Sequence, residues 1–360
     1  MNLVECSWEE IDCFVGNRCI VCYGCGIVAD NFLDLLFTKF DNNRVIAFGD
    51  SNPNIKYKQY GDFKFDVWGL EQLRKNISNY VIIITCSDIC GVIDQFEKIP
   101  ELSNTYVFSM YQMLSYSALH HKNTFDVRMT DSKKIPSKIH YCWFGGKEKP
   151  EKYKKLIEEW HVINPDFEII EWNEDNYDVK KNVYMKEAYE AEKWGFVPDY
   201  ARLDILYNEG GIYLDTDIKV IKRLDDLLYS NGFMVIDSDL HVNVGSGMGA
   251  AKGNALLKDF LDYYENVRFL NRDGTLNMKT CSYHQQQVLQ KYNVKNDGKL
   301  KVVKDTIIYP WGINGRDSYS HIDNITENTY WLHYGDGTWL TSNMNEAKRK
   351  RLDYLRRVNA

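Results

Sequence analysis

Long hydrophobic runs are absent from this sequence of 360 residues. The apolar run Val81-Ile82-Ile83-Ile84 is far shorter than the roughly 20 residues that a membrane-spanning helix needs. The first ten residues, MNLVECSWEE, are acidic and lack the basic-then-apolar order of a signal peptide. Internal repeats and low-complexity tracts are also missing. We therefore expect a folded cytoplasmic protein rather than a membrane-spanning, secreted or disordered one.

Basic charge is in short supply. Lys and Arg number 44 against 51 Asp and Glu, which gives a formal net charge of −7 and a pI of about 5.7. An acidic chain has no overall attraction for phosphate backbones, so we exclude nucleic acid as the expected partner. The hydrophobic fraction of 44% and the charged fraction of 26% are ordinary for globular proteins, and the length predicts two domains.

A complete cysteine metal site is also lacking. Five of the nine Cys residues fall within the first 25 residues, and Cys19, Cys22 and Cys25 have a spacing that metal sites use. No fourth ligand stands at a matching spacing, and Cys19 and Cys22 belong to the apolar run CIVCY. We therefore expect reduced, buried thiols that act as small apolar side chains.

The first third of the chain alternates strand patterns with helix patterns. Such alternation is typical of a parallel sheet, so we predict a Rossmann-like N-terminal domain over residues 1–121. The predicted strands are Cys19–Tyr23, Val45–Phe48, Tyr80–Thr85 and Tyr106–Ser109, and helices are predicted after Ala29 and over Leu70–Lys75.

A glycine pattern follows the first of these strands. Gly24, Gly26 and Ala29 open the next helix, and Asp50 stands at a distance suited to a ribose contact, as in dinucleotide-binding sites. Tyr60 and Lys64 have a dehydrogenase spacing but come too early in the sheet order. We favour nucleotide-type binding or a structural role over a working dehydrogenase.

The rest of the chain predicts a linker at 122–134, a mixed α/β domain at 135–340 and a basic helix at 341–360. The linker segment, KNTFDVRMTDSKK, is polar and irregular. In the second domain the predicted strands are Lys138–Phe144, Phe167–Trp172, Ile212–Leu214 and Lys219–Ile221, and the predicted helices are Glu151–Val162, Met185–Lys193, Asp199–Asn208 and Leu256–Phe269.

The most informative segment is PDYARLDILYNEGGIYLDTDIKV, which starts at Pro198. Asp199 and Arg202 are three residues apart and share one helix face. A short apolar strand then delivers Asp215 and Asp217 to its carboxyl end, where ligands of α/β sheets bind. Two carboxylates there are suited to Mg²⁺ or Mn²⁺, although a solvated acidic turn would have the same letters.

Three blocks within Ile135–Trp339 resemble glycosyltransferase family 32, the class with an Asp-x-Asp sugar-binding motif that includes bacterial capsular polysaccharide transferases. The blocks are IPSKIHYCWFGG from Ile135, FVPDYARL continuing to GGIYLDTD at Asp217, and HYGDGTW from His333. The resemblance implies a glycosyltransferase A fold, a nucleotide-sugar donor and a divalent cation, Mn²⁺ or Mg²⁺.

The resemblance also implies roles for individual residues. Asp199, Arg202, Asp215 and Asp217 match the catalytic acids and arginine, while Asp215, Asp217 and His333 match positions that hold the metal. The implied donor contacts are His140, Trp143, Asp199, Arg202, Asp215 and Trp339, with Trp143 stacking on the base and Trp339 closing over the diphosphate. A core role for Trp143 and a structural role for His333 are the alternatives.

The sequence departs from the family at two positions. Pro198 stands where Ser is common, and Gly335 stands where Trp is common, which affects the C-terminal loop more than the metal site. The loops around Asp237 to His241 and Gly245 to Gly249 would face the acceptor in this fold. We expect those glycines to serve turns or close packing rather than phosphate binding.

The resulting prediction is a metal-dependent, retaining hexosyltransferase in surface polysaccharide biosynthesis. UDP-hexose is the expected donor, GDP-mannose stands second, and the acceptor is a saccharide or a lipid-linked saccharide. We expect front-face attack, since no carboxylate nucleophile is evident. The alternatives are a nucleotide-sugar oxidoreductase or epimerase acting through the N-terminal domain, and a non-catalytic binding protein.

The carboxyl-terminal segment carries a net positive charge, whereas the chain as a whole is negative. Six basic residues, Lys348, Arg349, Lys350, Arg351, Arg356 and Arg357, flank an apolar stripe of Leu352, Leu355 and Val358. A solvated helix that caps the domain and a foothold on an anionic membrane surface are both open interpretations.

Overall fold

The computed structural model describes residues 1–75, 79–120, 124–294, 297–337, 340 and 342–358. The chain divides into two compact units. One comprises Met1–His121, Tyr319–Ile322 and Thr341–Ala360, and the other comprises Lys122–Ser318 and Asp323–Leu340. No helix in the described ranges is long and apolar enough to cross a membrane.

The first unit is built on a seven-stranded sheet. Its strands are β1 (Asn2–Leu3), β2 (Cys19–Tyr23), β3 (Val45–Gly49), β4 (Tyr57–Tyr60), β5 (Phe63–Trp68), β6 (Tyr80–Ile84) and β7 (Tyr106–Ser109). The order is β1-β7-β6-β2-β3-β5-β4, and all pairs are parallel except β4 with β5. The fully buried run of β6 is what a central parallel strand needs.

Helices connect these strands, as parallel neighbours require. They are α1 (Ile11–Val15), α2 (Ile27–Lys39), α3 (Leu70–Lys75), α4 (Ile89–Phe96) and α5 (Met110–Leu119). Asp88 and Ser109 cap the amino ends of α4 and α5 by accepting hydrogen bonds from backbone N–H groups. The β4–β5 hairpin was not predicted, because only one of its ten residues is fully buried and its apolar pattern is weak.

The second unit holds a mixed sheet of seven strands and a separate two-stranded sheet. The strands are β8 (Lys138–Cys142), β9 (Glu168–Trp172), β10 (Gly211–Tyr213), β11 (Ile218–Val220), β12 (Gly232–Val235), β13 (Met248–Ala250), β14 (Lys301–Val303), β15 (Thr306–Tyr309) and β16 (Trp331–His333). The large sheet runs β14-β15-β12-β13-β10-β8-β9, and β11 pairs with β16. The predicted α/β class is confirmed.

Five helices belong to the second unit: α6 (Glu151–Ile163), α7 (Val183–Glu190), α8 (Pro198–Glu209), α9 (Ala255–Tyr264) and α10 (Cys281–Leu289). Helix α9 ends five residues before its predicted end at Phe269, because the chain turns at Asn266 and Val267. One core on each side of the sheet holds it together, with Tyr213 in one and Ile212 in the other.

The segment interpreted as a linker is packed on the second unit in its described part. The N–H groups of Met129 and Thr130 donate to the carbonyl of Tyr229, and the hydroxyl of Tyr309 donates to the carbonyl of Val127 at 2.6 Å. The polar side chains of this segment predicted a linker, because the packing contacts are made largely by its backbone, which the sequence pattern does not show.

The carboxyl-terminal helix α11 (Ser342–Val358) belongs to the first unit. The Tyr354 hydroxyl donates to Oε1 of Gln112 at 2.8 Å, and Leu355 is fully buried. The guanidinium of Arg351 lies over the rings of Tyr111 and Tyr319. Part of the predicted apolar stripe therefore packs inside the unit.

Candidate active site

The backbone between α8 and β10 determines where the acidic motif emerges. Pro198 suits the first turn of α8, and Gly210, with φ of +67°, ends the helix. At Gly211, with φ of +113°, a Cβ would lie 2.7 Å from Nε2 of His140, so only glycine fits. Strand β10 then runs parallel to β8, and Asp215 and Asp217 follow its carboxyl end.

His333 reaches the same place through the small sheet. Strands β11 and β16 are antiparallel, with Ile218 paired to His333. This register sets His333 beside Asp217, the residue before Ile218. Ligand atoms of Asp215, Asp217 and His333 lie within 4.8 Å of one another, and these three form the only such group among the described residues.

Hydrogen bonds hold this cluster, which we call the acid–histidine cluster. Nε2 of His333 lies 3.3 Å from Oδ1 of Asp217, and the backbone N–H of Asp336 donates to Oδ2 of Asp217 at 2.8 Å. Asp336 is itself held by Lys152, whose ammonium group lies 2.6 Å from its carboxylate. The loop after β16 is thereby tied to Asp217 and to the start of α6.

Arg202 lies between two acids of the site. Its Nη2 is 3.4 Å from Oδ1 of Asp199 and 3.6 Å from Oδ1 of Asp215, and its Nε donates to the carbonyl of Pro198. Its guanidinium lies over the ring of Tyr213. Arg202 is only 3% exposed, yet its Nη1 has no hydrogen-bond partner. A buried donor without a partner is costly, so this atom is suited to a ligand oxygen.

Gly245 allows a loop to approach these groups closely. A Cβ at this position would lie 2.9 Å from both Nη1 of Arg202 and Oδ2 of Asp215. At Gly247 and Gly249 a Cβ would meet the rings of Trp331 and Phe233 at 2.5 and 2.4 Å. The prediction that these glycines serve close packing is confirmed.

Burial and charge shift the site carboxylates in opposite directions. Burial raises the pKa of Asp199 to about 7, against the opposing charge of Arg202, and it also raises the pKa of Asp215. Burial alone would raise the pKa of Asp217, but His333 outweighs it and lowers that pKa to about 2. Asp217 in turn raises the pKa of His333 to about 9, although burial alone would lower it.

Trp143 follows β8 and is half-buried. Its Nε1–H donates to the carbonyl of Lys147 at 2.5 Å, and its ring lies 5.9 Å from that of Tyr153 in a tilted arrangement. One part of the indole is thus held while another remains accessible. Trp339, the other predicted aromatic contact, lies outside the described residues.

His140 does not fit direct contact with a donor. The side chain is fully buried, and both ring nitrogens are engaged: Nε2 with the carbonyl of Gly210 at 2.8 Å and Nδ1 with the indole N–H of Trp172 at 3.0 Å. Burial lowers the pKa of His140 to about 4. The geometry assigns it to holding the α8–β10 turn against β8 and β9, a role that a motif match does not reveal.

The glycine pattern of the first unit is used internally. Oδ2 of Asp50 accepts the backbone N–H of Cys25 at 3.0 Å, and Lys58 donates to the carbonyl of Cys25. A Cβ at Gly24 would lie 2.7 Å from Cβ of Cys86. The Asp50 carboxylate, which would meet a ribose, and the N–H of Cys25 therefore already have protein partners, which counts against the oxidoreductase alternative.

Sequence reasoning placed Asp237 and Ser246 in loops that would face the acceptor, and it missed their contacts, and that of Asn314, in support of His333. Asp237, Ser246 and Asn314 are buried and form hydrogen bonds with one another or with His333. Asp237 and Ser246 lie in the connection between β12 and β13, and Asn314 lies in the segment after β15, so no single local spacing joins all three to His333.

Comparison with known proteins identifies this arrangement. The model of the glycosyltransferase sugar-binding region containing a DXD motif matches residues 150–234, which include α8 and both motif acids. An uncharacterised glycosyltransferase of Acanthamoeba polyphaga mimivirus is 36% identical over 198 residues, or 53% of this chain and 71% of that protein. The chain belongs to the glycosyltransferases with a DXD sugar-binding region.

Other relatives of this glycosyltransferase are more distant. Inositol phosphoceramide mannosyltransferase 3 of Schizosaccharomyces pombe is 29% identical over 140 residues, or 37% of this chain and 38% of that protein. The chain spans less than half the length of the first curated relatives that it matches. Among solved structures, the PaToxG glycosyltransferase has 18% identity and a TM-score of 0.38, over 51% of this chain and 75% of that chain.

Proposed function

We propose that this chain is a metal-dependent glycosyltransferase that moves a hexose from a nucleotide-sugar to a saccharide or lipid-linked saccharide. The observation that carries the proposal is the acid–histidine cluster beside Arg202, whose buried Nη1 has no protein partner. Family membership supports the reaction class. The cluster and Arg202 support a donor that carries both phosphates and sugar hydroxyls.

A divalent cation fits the cluster. Two carboxylates and one imidazole with ligand atoms within 4.8 Å form a donor set suited to Mn²⁺ or Mg²⁺. Asp215, Asp217 and His333 would hold the ion. When bound, it would stabilise the negative charge that develops on the departing nucleoside diphosphate.

The chain's own residues bind and orient the donor. We assign the free Nη1 of Arg202 to a donor oxygen and the carboxylate of Asp199 to the sugar hydroxyls. The bond between the Tyr184 hydroxyl and Oδ2 of Asp199, at 3.3 Å, and the contact with Arg202 hold that carboxylate in place. Trp143 supplies a ring for the base, and Trp339 remains a proposal that rests on the motif alone.

The donor sugar is proposed as a hexose. UDP-hexose is the expectation from the motif resemblance, and the mannosyltransferase name of the Schizosaccharomyces pombe relative favours mannose. Both UDP-hexoses and GDP-mannose therefore belong in the first screen. A role in surface polysaccharide biosynthesis is the biological setting that we propose.

We propose retention of the anomeric configuration with attack from the front face. Four acids of this region already have protein partners: Asp199 contacts Arg202 and Tyr184, Asp215 contacts Arg202 and Tyr213, Asp217 contacts His333, and Asp237 contacts Ser246. A double displacement needs a carboxylate free to attack the anomeric carbon. In the front-face course the departing phosphate oxygen takes the acceptor's proton. NMR of the product's anomeric proton, followed from the start of the reaction, tests retention, and a covalent glycosyl-enzyme detected by mass spectrometry would contradict front-face attack.

Contact with an anionic membrane is proposed on electrostatic grounds alone. Leu355 is buried within the first unit and Arg349 is paired with Glu346, while Lys350 and Arg356 are exposed on α11. Each exposed basic residue near an anionic surface contributes about 1 kcal/mol. Sedimentation with anionic vesicles at low and high salt, with Lys350→Glu/Arg356→Glu as the comparison, tests this; equal sedimentation of both proteins would remove the idea.

The principal experiment measures nucleoside diphosphate release from UDP-glucose, UDP-galactose and GDP-mannose, with Mn²⁺ or with EDTA. Slow hydrolysis of one donor is expected even without acceptor, and only with the metal. Asp217→Ala should abolish it, whereas Asp262→Asn, which alters an exposed acid of α9, should not. Release that is insensitive to EDTA and to Asp217→Ala would contradict the proposal.

A further inference from the structure

A chain of buried polar contacts runs from the acid–histidine cluster to Asp237, all within the second unit. Nδ1 of His333, the ring nitrogen on the side away from Asp217, lies 2.8 Å from Oγ of Ser246. The same Oγ lies 2.6 Å from Oδ2 of Asp237. Ser246 and Asp237 are 0% and 2% exposed, so water does not compete for these contacts. We call this chain the Asp–Ser–His relay.

The groups around Asp237 establish that it only accepts. Nδ2 of Asn243 donates to its Oδ2 at 2.8 Å, and Nδ2 of Asn314 donates to its Oδ1 at 3.0 Å. Both amides are oriented by backbone donors, because Oδ1 of Asn243 accepts from Gly245 and Oδ1 of Asn314 accepts from His333. Asp237 is therefore a carboxylate surrounded by donors, and the Ser246 hydroxyl is one of them.

This direction determines the state of the histidine ring. A hydroxyl has one hydrogen, and Ser246 donates it to Asp237. Its Oγ must then accept from Nδ1–H of His333. The hydrogen on Nε2, which faces Asp217 at 3.3 Å, is then the one that a cation would displace, and the neutral ring has its lone pair on Nε2.

We propose that Asp237 and Ser246 are positioning residues that present Nε2 of His333 as a metal ligand. This inference rests on the proposed function, since it takes the cluster to bind a divalent cation. The partners of ligating histidines are known to fix the tautomer and ring orientation, and their loss weakens metal binding about 10–100-fold. Ser246 carries no charge and contacts Nδ1 of His333 rather than the cluster. Through this contact we expect it to change the metal affinity measurably.

A hydrolase triad does not explain the same three residue types. A nucleophilic serine needs a histidine base that is itself oriented by the acid, whereas here the acid contacts the serine and not the ring. Ser246 is also fully buried. The order acid–serine–histidine–cluster fits support of a ligand.

The test titrates the full chain with Mn²⁺ alone and measures free Mn²⁺ by electron paramagnetic resonance. We expect Ser246→Ala and Asp237→Asn to weaken Mn²⁺ binding about 10–100-fold relative to wild type. Ser230→Ala is the matched control, because Ser230 is equally buried in the same unit but its hydroxyl has no hydrogen-bond partner; its affinity should equal wild type. Circular dichroism verifies folding, and Ser246→Ala alone carries the test if Asp237→Asn does not fold.

A double-mutant cycle separates positioning from general damage. If Ser246 acts through the ring, Ser246→Ala should have no further effect on Mn²⁺ affinity in a His333→Ala background. Wild-type affinity in Ser246→Ala, or an equal loss in both backgrounds, would overturn the relay. If Asp217→Ala binds Mn²⁺ as tightly as wild type, the proposed function itself fails. Loss in Asp217→Ala with none in Ser246→Ala would remove the relay only.

Discussion

The carboxyl ends of β2 and β10 differ in how completely their polar groups are used within the protein. Both strands lie inside a sheet, both run parallel to a neighbour, and both are followed by a motif with functional precedent. After β2, the N–H of Cys25 is bonded to Asp50 and its carbonyl to Lys58. After β10, a buried guanidinium nitrogen of Arg202 has no partner and two acids face a histidine.

This difference shows why a motif at a strand end is not sufficient evidence for a site. Unsatisfied buried donors and crowded like charges cost stability, and they persist where a ligand repays the cost. At the Gly24 pattern, the N–H and carbonyl of Cys25 and the carboxylate of Asp50 already have partners within the protein. The Asp215 region keeps a buried donor without a partner and two neighbouring acids, which is the physical reason to place the proposed reaction there.

The largest expected effect comes from replacing Asp217, which follows β10, and comparing it with replacement of Asp50, which bonds to the turn after β2. Asp217→Ala should abolish detectable turnover, a fall in kcat/KM of at least about 1000-fold, since the metal stabilisation that we propose is worth several kcal/mol at the transition state. Asp50→Ala should leave kcat/KM unchanged but lower the free energy of unfolding by about 1–2 kcal/mol, because two backbone N–H groups lose their acceptor. Turnover assays and urea unfolding of both variants check this; a transfer defect in Asp50→Ala would reverse the comparison.

The next prediction concerns His140, which holds the turn before β10, and the pH dependence of the free energy of unfolding. His140 has its pKa lowered to about 4 by burial, whereas an unfolded histidine titrates near 6.5. Between these values the unfolded chain binds the extra proton, so the free energy of unfolding falls as pH drops from 6.5 to 4. The full contribution is about 3 kcal/mol.

His140→Gln should remove most of that pH dependence, because the amide can still donate to Gly210 but does not titrate. Urea unfolding at pH 6.5 and 4.5 measures the difference. His161→Gln, an exposed position on α6, is the control and should behave as wild type. An unchanged pH slope in His140→Gln would show that His140 is not buried in the neutral form.

The smallest expected effect is on donor affinity. Trp143→Ala should raise KM for the donor about 10-fold with little change in kcat, because stacking on a base is worth about 1–3 kcal/mol and is similar in ground and transition states. Trp68→Ala, in the first unit, should leave both constants unchanged. A large fall in kcat with constant KM would contradict a stacking role for Trp143.

The sequence predicts much of the secondary structure around these strand ends. Strands β2 and β7 and helix α3 have the bounds that were predicted, and α8 extends one residue beyond each predicted end. These elements have strong apolar patterns or glycine and proline at their ends. Strands β12 and β13 were missed because GFMV and MGA are short, glycine-containing and buried throughout, so they show no alternation.

Only the residues of the candidate site that belong to sequence motifs could be predicted. Asp215, Asp217 and His333 were grouped by resemblance, and the structure brings them together. The hydrogen bonds of His140 with Gly210 and Trp172, and the relay through Ser246, join residues distant in the chain. Such contacts leave no periodic signal, and a histidine in a motif has the same letter whether it meets a ligand or a carbonyl.

The acid–histidine cluster depends on the pairing of β11 with β16, so it is completed late in folding. This small sheet has three residue pairs, and its two strands lie more than a hundred residues apart in the sequence. Until β16 docks, Asp217 has no histidine beside it, so the acid–histidine cluster is complete only after the chain beyond His333 has been synthesised. A ligand that binds the completed cluster also stabilises this short pairing through mass action, and amide exchange at Lys219 and Leu332 would slow in its presence.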